Sequence, residues 1–186
     1  MTKTNRAPAR KYPKKHNQGQ RGMPFENLIN KTNTMYHNQD LALINKRPTP
    51  IKVLKTQGMQ IQKAQWDHKS TVDYDGLYRG IPIAFEAKSI QGKSFPLNKL
   101  QQHQLAYLQE TERHGGTAFL LIEFREERTV FYTPVNMITL YEKRKDEGGR
   151  KSIPYDDFMV YADVVTAGRK VPLDYLAIVD EKRGTQ

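Results

Sequence analysis

The 186-residue sequence has no cysteine, one tryptophan, and no apolar run near the roughly 18 residues that span a membrane. Without cysteine there can be no disulfide framework, no thiolate zinc site and no cysteine nucleophile. The basic N-terminus is not followed by an apolar stretch, so neither a signal peptide nor a membrane partner is predicted. These features suit a protein of the reducing cytoplasm.

Acidic residues are fewer than basic ones. The sequence has 20 Asp and Glu and 30 Lys and Arg, which give a formal charge of +10 and a pI near 9.7. Such an excess is typical of proteins that bind polyanions, and nucleic acid is the leading candidate. Residues 1–20 carry six of the cations and no acid. They are predicted to be a disordered basic arm that neutralises phosphates, with a solubilising tail as the alternative.

The rest of the chain, 21–186, is long enough for one domain with a real core. Helical spacing of apolar residues predicts helices at 24–36, 96–113, 134–145 and 155–161. Shorter apolar runs predict strands at 41–44, 72–78, 81–88, 117–124, 129–132 and 175–179. Strands alternating with helices predict an α/β domain built around a small mixed sheet.

Residues 46–69, KRPTPIKVLKTQGMQIQKAQWDHK, form a basic segment with six Lys or Arg, one acid and two prolines. Weak alternation on either side of Gly58 is typical of two strands joined by a turn. The charges of Lys52, Lys55 and Lys63 have nowhere to be buried. The segment is therefore predicted to be a two-stranded projection and not part of the core.

The stretch VDYDGLYRGIPIAFEAK, at 72–88, places two acids on neighbouring strands of a predicted hairpin. Period two sends Glu86 and Lys88 to one face of their strand and Phe85 to the opposite, core-facing side. The hairpin bend brings Asp73 back toward Glu86, and two adjacent carboxylates call for a cation between them. Magnesium suits such a pair, and would activate a phosphodiester and a water for in-line attack. Lys88 would stabilise the extra negative charge of the pentavalent transition state or help to hold the attacking water.

Two more side chains are candidates for the same centre. Thr71 precedes Asp73 by two residues, so its hydroxyl projects to the same side of the strand. Gln104 falls on one helical stripe with Leu97, Leu100 and Leu108, where an apolar residue would be expected. A glutamine in that position needs a buried polar partner, such as a metal ion or its water.

Plainer interpretations remain open at this point. Asp73 could be a turn residue of DYDG, and Glu86 with Lys88 could be an exposed strand pair. Gln104 could bond the backbone instead of a metal centre. Glu26, in the first turn of the first helix, is expected to complement the helix dipole, with a supporting role at the active centre as the alternative.

Ordered motifs run along most of the chain: RGM at 21–23, KRPTP at 46–50, STVDYDGLYRG at 70–80, FEAK at 85–88, SFPL at 94–97, HQ at 103–104 and GRKSI at 149–153. Together they resemble the RecU family of Holliday-junction resolvases, within the PD-(D/E)XK nuclease fold. The resemblance implies a restriction-endonuclease-like mixed central sheet flanked by helices. It also implies that 46–69 protrudes as a two-stranded basic stalk inserted in the nuclease domain 21–186.

The resemblance further implies the site and the partners. Its magnesium ligands fall on Thr71, Asp73, Glu86 and Gln104, with manganese able to substitute and one or more ions per subunit. Its catalytic residues fall on Asp73, Glu86 and Lys88. Phosphate contacts are expected from the base and strands of the stalk, at Lys46, Arg47, Lys52, Lys55, Lys63 and Lys69.

A homodimer would nick symmetrically opposed strands of a four-way junction during recombination and repair, with the stalk in the junction's open centre. Recombinase and branch-migration proteins are expected as further partners. Two alternatives stay open. One is a non-catalytic protein that binds junctions or anneals strands, and the other is a phage nuclease of the same fold with broader substrates.

Overall fold

The computed structural model describes residues 23–67 and 71–184. The predicted arm at 1–20 and the predicted DNA contact Lys69 lie outside them. The helices are α1 Met23–Asn38, α2 Gln102–Arg113, α3 Val135–Asp146, α4 Tyr155–Tyr161 and α5 Tyr175–Gly184. The strands are β1 Ala42–Lys46, β2 Ile51–Gln57, β3 Gln60–Trp66, β4 Tyr74–Tyr78, β5 Ile81–Ile90, β6 Ser94–Pro96, β7 Thr117–Phe124, β8 Thr129–Pro134, β9 Ser152–Pro154 and β10 Asp163–Val164.

Six strands form one mixed sheet in the order β1-β4-β5-β7-β8-β10. The pair β5–β7 is parallel, and its neighbours are antiparallel. The predicted α/β class with a mixed central sheet and flanking helices is therefore confirmed. None of the helices within the described residues is long and apolar enough to cross a membrane.

The central sheet is covered on both faces. On one face, Phe85 stacks on Phe119 with ring centroids 4.9 Å apart, and residues of α1 and α5 complete the cluster. On the other face, Ala84 and Leu120 pack with residues of α2, α3 and α4. Glu86 was expected to project from a face opposite the core, but it too is buried. The reason is the crossover between parallel strands, which lays α2 over that face.

The hairpin of β4 and β5 turns at Arg79 and Gly80, between the two strands predicted at 72–78 and 81–88. Both turn residues have positive φ, at 50° and 78°, which matches the right-handed twist of the strands that they join. The register pairs Tyr74 with Phe85 and Tyr78 with Ile81. The same register determines which residues lie opposite each other just before β4 begins.

The second helix begins at Gln102 and not at Pro96. Residues 94–96 instead pair with 152–154 as the two-stranded sheet β6–β9, and a short 3₁₀ helix, Leu97–Lys99, follows. The prediction of a continuous helix over 96–113 was therefore wrong for its first part. The pairing partner lies more than 50 residues away, so local spacing alone could not reveal it.

The strand predicted at 175–179 is also wrong, because these residues begin α5. Tyr175, Leu176, Ile178 and Val179 are buried, and their spacing places them on one face of a helix. That face packs against the stacked aromatic rings of the sheet.

The basic segment forms a separate two-stranded sheet, β2–β3, with every residue of both strands exposed. Gly58, at φ 58°, and Met59 connect the strands. Near its root, the N–H of Asp67 donates to the carbonyl oxygen of Pro50 at 3.2 Å. The predicted hairpin is present, and its role as a DNA-entering stalk stays a prediction.

Candidate active site

Glu86 lies on β5 at the centre of the candidate site, and its side chain is fully buried. Its Oε2 accepts the backbone N–H of Asp73 at 3.1 Å. Its Oε1 accepts Lys88 Nζ at 2.5 Å and Gln104 Nε2 at 2.6 Å. Burial and the nearby Asp73 carboxylate raise the pKa of Glu86 to about 7, although Lys88 acts in the opposite direction. A buried carboxyl perturbed in this way is typical of functional sites.

Asp73 immediately precedes β4 and faces Glu86 across the hairpin. Its Oδ2 accepts the backbone N–H of Ala87 at 3.1 Å, while its own N–H binds Glu86. The two acids lie one step beyond the paired residues Tyr74 and Phe85, so the strand register places them opposite each other. The hairpin thus brings together the two acids as the sequence predicted, and their chemical roles stay predictions.

Lys88 and Gln104 approach Glu86 from different elements. Lys88 lies two residues further along β5, so both side chains project to the same face of the strand. Gln104 comes from the first turn of α2 and presents its NH₂ group to Glu86, while its Oε1 accepts the N–H of Gln101 at 3.0 Å. The amide oxygen, which is the atom that would bind a metal, is therefore engaged at the start of α2.

The side chains predicted as ligands offer two carboxylates, one hydroxyl and one amide. Among residues 23–67 and 71–184, no group of three or more His, Cys, Asp or Glu is placed to hold a metal ion. Asp73 and Glu86 nonetheless fit magnesium, which takes one or two protein carboxylates and completes its coordination with water and phosphate oxygens. A divalent cation between them would offset the repulsion that helps to raise the pKa of Glu86.

Thr71 lies two residues before Asp73, and its hydroxyl is held by Arg47. Arg47 donates through Nη1 to Thr71 Oγ1 at 2.7 Å. Within the described part of the chain, the hydrogen bond of this hydroxyl leads to Arg47 and to neither Asp73 nor Glu86. Thr71 is thus held by a residue that the sequence had suggested for DNA contact.

Two partners of Arg47 were not predicted from the sequence. Asp75 Oδ2 accepts a hydrogen bond from Arg47 Nη2 at 2.5 Å, and the hydroxyl of Tyr107 on α2 lies 3.1 Å from the same nitrogen. The guanidinium carbon also lies 5.3 Å from the centroid of the Tyr107 ring. One signal existed for Asp75, since it follows Asp73 by two residues and so projects to the same side.

The residues predicted to contact DNA fall into two groups. Lys52, Lys55 and Lys63 lie on the exposed strands β2 and β3. At the root of these strands, Lys46 instead forms an ion pair with Glu26 on α1, and Arg47 makes the contacts described above. Glu26 is thereby engaged by a lysine and does not reach the acid pair through any contact found among the described residues.

Comparison with known proteins places the chain in a family. The model of the family described as Recombination protein U matches residues 20–181. A protein of Geobacillus sp. (strain WCH70) named Holliday junction resolvase RecU is 35% identical over 175 residues, which cover 91% of this chain and 87% of that protein. Proteins of the same name from Bacillus cytotoxicus and Bacillus thuringiensis (strain Al Hakam) are 33% and 32% identical, each covering 90% of this chain and 86% of the relative. The chain therefore belongs to the RecU family.

Proposed function

We propose that this protein is a magnesium-dependent endonuclease that resolves Holliday junctions by nicking symmetrically opposed strands. The observation that carries the proposal is the convergence of Asp73, Lys88 and Gln104 on the fully buried carboxyl of Glu86. Relatives named Holliday junction resolvase RecU, similar over nearly their whole length, support the choice of substrate.

The arrangement of the site supports the PD-(D/E)XK nuclease fold. An acid precedes the first strand of a hairpin, and the second strand carries the triplet Glu86-Ala87-Lys88 in the middle of a mixed sheet. Thr71, Asp73, Glu86 and Gln104 are the proposed magnesium ligands. When bound, the ion would supply Lewis-acid activation of the scissile phosphate and lower the pKa of an attacking water.

The protein's own residues would divide the remaining work. Gln104 donates to Glu86 and so fixes the orientation of that carboxylate. Lys88 keeps an ammonium group beside the acids, where it would stabilise the extra negative charge that develops on the phosphate in the transition state. Lys88 is already held beside Glu86 by a hydrogen bond, so little reorganisation of this group is needed at the moment of reaction.

Recognition of the junction is assigned to the exposed β2–β3 hairpin. Its lysines, Lys52, Lys55 and Lys63, would bind backbone phosphates, which position a protein on DNA without specifying sequence. A homodimer in the cytoplasm would supply one acid pair for each of two opposed strands. Recombinase and branch-migration proteins are the proposed protein partners.

The decisive experiment incubates the purified protein with a mobile four-way junction, with and without magnesium, and maps the nicks. The parent should make paired symmetric nicks only with the metal. Asp73→Ala, Glu86→Ala and Lys88→Ala should each lose nicking while retaining binding, whereas Lys93→Ala, at an exposed lysine, should behave as the parent. Cleavage at the parental rate by any of the three would overturn the proposal. Binding without nicking by the parent would indicate a non-catalytic accessory protein.

A further inference from the structure

Arg47 joins the two chain segments through which the β2–β3 hairpin connects to the central sheet. It lies on the outgoing side, four residues before β2, and it binds the hydroxyl of Thr71 on the returning side at 2.7 Å. Its own backbone N–H donates to the carbonyl oxygen of Asp73 at 2.8 Å. One residue therefore connects both ends of the hairpin to the segment that carries a proposed catalytic acid.

The guanidinium group of Arg47 is pinned from several sides. Besides Thr71, it binds Asp75 Oδ2 at 2.5 Å and the Tyr107 hydroxyl at 3.1 Å, and it lies against the Tyr107 ring. Asp75 belongs to β4 and Tyr107 to α2. The planar fork of arginine donors can satisfy such a set, and its flat face suits an aromatic ring.

These contacts oppose a direct role in binding phosphate. To reach a phosphodiester, the guanidinium would have to release Asp75, leaving a partly buried carboxylate unpaired, and would also release the Thr71 hydroxyl. Among the described residues, Lys52, Lys55 and Lys63 lie on the exposed strands and form no ion pair that a phosphate would have to displace. The lysines of the hairpin are therefore better placed to bind phosphates than Arg47 at its root.

We propose that Arg47 is a positioning residue. It holds Thr71 and the root of the hairpin in register with Asp73 and with α2, and it does not contact DNA. This inference rests on the proposed nuclease function. It means that the hairpin and the acid pair are kept in a fixed relation by one side chain, so a DNA junction bound to the hairpin presents its phosphate at the acids.

The test compares Arg47→Gln, Arg47→Lys and Asp75→Asn with the parent. Misplaced ligands commonly cost up to about a hundredfold in rate, so Arg47→Gln should lower kcat for junction nicking roughly tenfold to a hundredfold. Arg47→Lys should fail to restore it, because a point charge cannot replace the fork. Asp75→Asn should show a similar loss, and the double variant should be no worse than either single change.

A second readout uses metal-free junction binding, measured as Kd over a range of salt concentrations. If Arg47 positions and does not bind DNA, all three variants should keep Kd within roughly twofold and leave the salt dependence unchanged. A phosphate contact predicts the opposite: Arg47→Gln lowers the slope by about 0.9, lysine restores it, and Asp75→Asn tightens binding by freeing the cation. Those results would overturn the proposal.

Thermal unfolding of each variant without DNA checks that the fold is intact. If Arg47→Gln does not fold, Arg47→Lys and Asp75→Asn allow the same comparison. Each weakens the ion pair between Arg47 and Asp75 and leaves a side chain of similar size. Failure of the parent to nick would overturn the proposed function alone. The metal-free binding measurements would then still decide whether Arg47 contacts DNA.

Discussion

Gln104 on α2 donates its side-chain amide to Oε1 of Glu86 at 2.6 Å, the same oxygen that accepts the ammonium group of Lys88. Its own Oε1 accepts the N–H of Gln101, so the side chain is held at both ends. The orientation of the buried carboxylate therefore depends on where α2 begins as well as on the strand that carries it.

Replacing Gln104 with leucine should separate binding from chemistry. The change removes one donor from a fully buried carboxyl, and loss of such a supporting bond commonly costs roughly tenfold to a hundredfold in metal affinity or activity. Single-turnover nicking at saturating junction should fall by that factor, while junction binding should not change. Gln109→Leu is the matched control, because Gln109 lies on the same helix and its amide bonds Thr139 at 2.9 Å. Equal effects of the two changes would contradict the prediction.

The sequence identified Gln104 for a reason that was only partly correct. The predicted stripe joined it to Leu97 and Leu100, but both leucines precede α2, although they are buried in the same cluster as Leu105 and Leu108 of that helix. The chemical part of the prediction was correct, because a glutamine among apolar residues needs a polar partner. The partner is Glu86, which the hairpin pattern had already placed nearby.

Local pattern was sufficient where a segment's neighbours are close in sequence, as in the β4–β5 hairpin. It failed where contacts between segments that are distant in sequence determine the secondary structure. Ser94–Pro96 is a strand only because 152–154 lies beside it. The short apolar run from Tyr175 suits a strand or a helix equally well until the aromatic face of the sheet is known. The contacts of Arg47 were missed because its partners lie far from it in sequence: Thr71 in a connecting segment, Asp75 on β4 and Tyr107 on α2.

Gly76→Ala should destabilise the fold through the β1–β4 pair. A Cβ at this position would lie 2.0 Å from the carbonyl oxygen of Leu43, and backbone cannot move aside as a side chain can. Overpacking typically costs about 1–3 kcal/mol in free energy of unfolding and occasionally more, and a clash with backbone is expected at the upper end. Urea denaturation should show the loss, and Gly184→Ala, with open space around it, should change stability by less than about 0.5 kcal/mol. A stable Gly76→Ala protein would show that the two strands can separate.

The exposed β2–β3 hairpin is expected to make junction binding sensitive to salt concentration. Changing Lys52, Lys55 and Lys63 together to glutamine should weaken junction binding and flatten its dependence on salt. Removing one lysine–phosphate interaction lowers the slope of log K against log salt by about 0.9, so a total change of roughly 2 to 3 is expected. The charge-matched control changes the exposed lysines Lys31, Lys143 and Lys170, which lie outside the β2–β3 hairpin. Equal slopes in the two triple variants would show that only net charge matters.

Asp174 is almost fully buried where α5 begins, and it is held by two groups. The Tyr36 hydroxyl donates to it at 2.8 Å, and Arg169 binds both of its oxygens at up to 3.1 Å. Burial alone would raise the pKa of Asp174, but the hydrogen bonds from Arg169 and Tyr36 outweigh it, and the pKa is lowered. The folded state therefore favours the ionised carboxylate more than the unfolded chain does.

The sign of the resulting pH dependence follows directly. Because the folded pKa is depressed, this stabilisation is complete above the unfolded value of about 3.9 and is lost as pH falls through the folded value. Asp174→Asn should lower the free energy of unfolding by roughly 3 kcal/mol at pH 7, since it leaves Arg169 without its buried partner. The difference in free energy of unfolding between variant and parent should become smaller as pH falls below about 4. Urea titrations at several pH values measure it, with the exposed Asp146→Asn as control, and a constant gap would show that the charge of Asp174 is irrelevant.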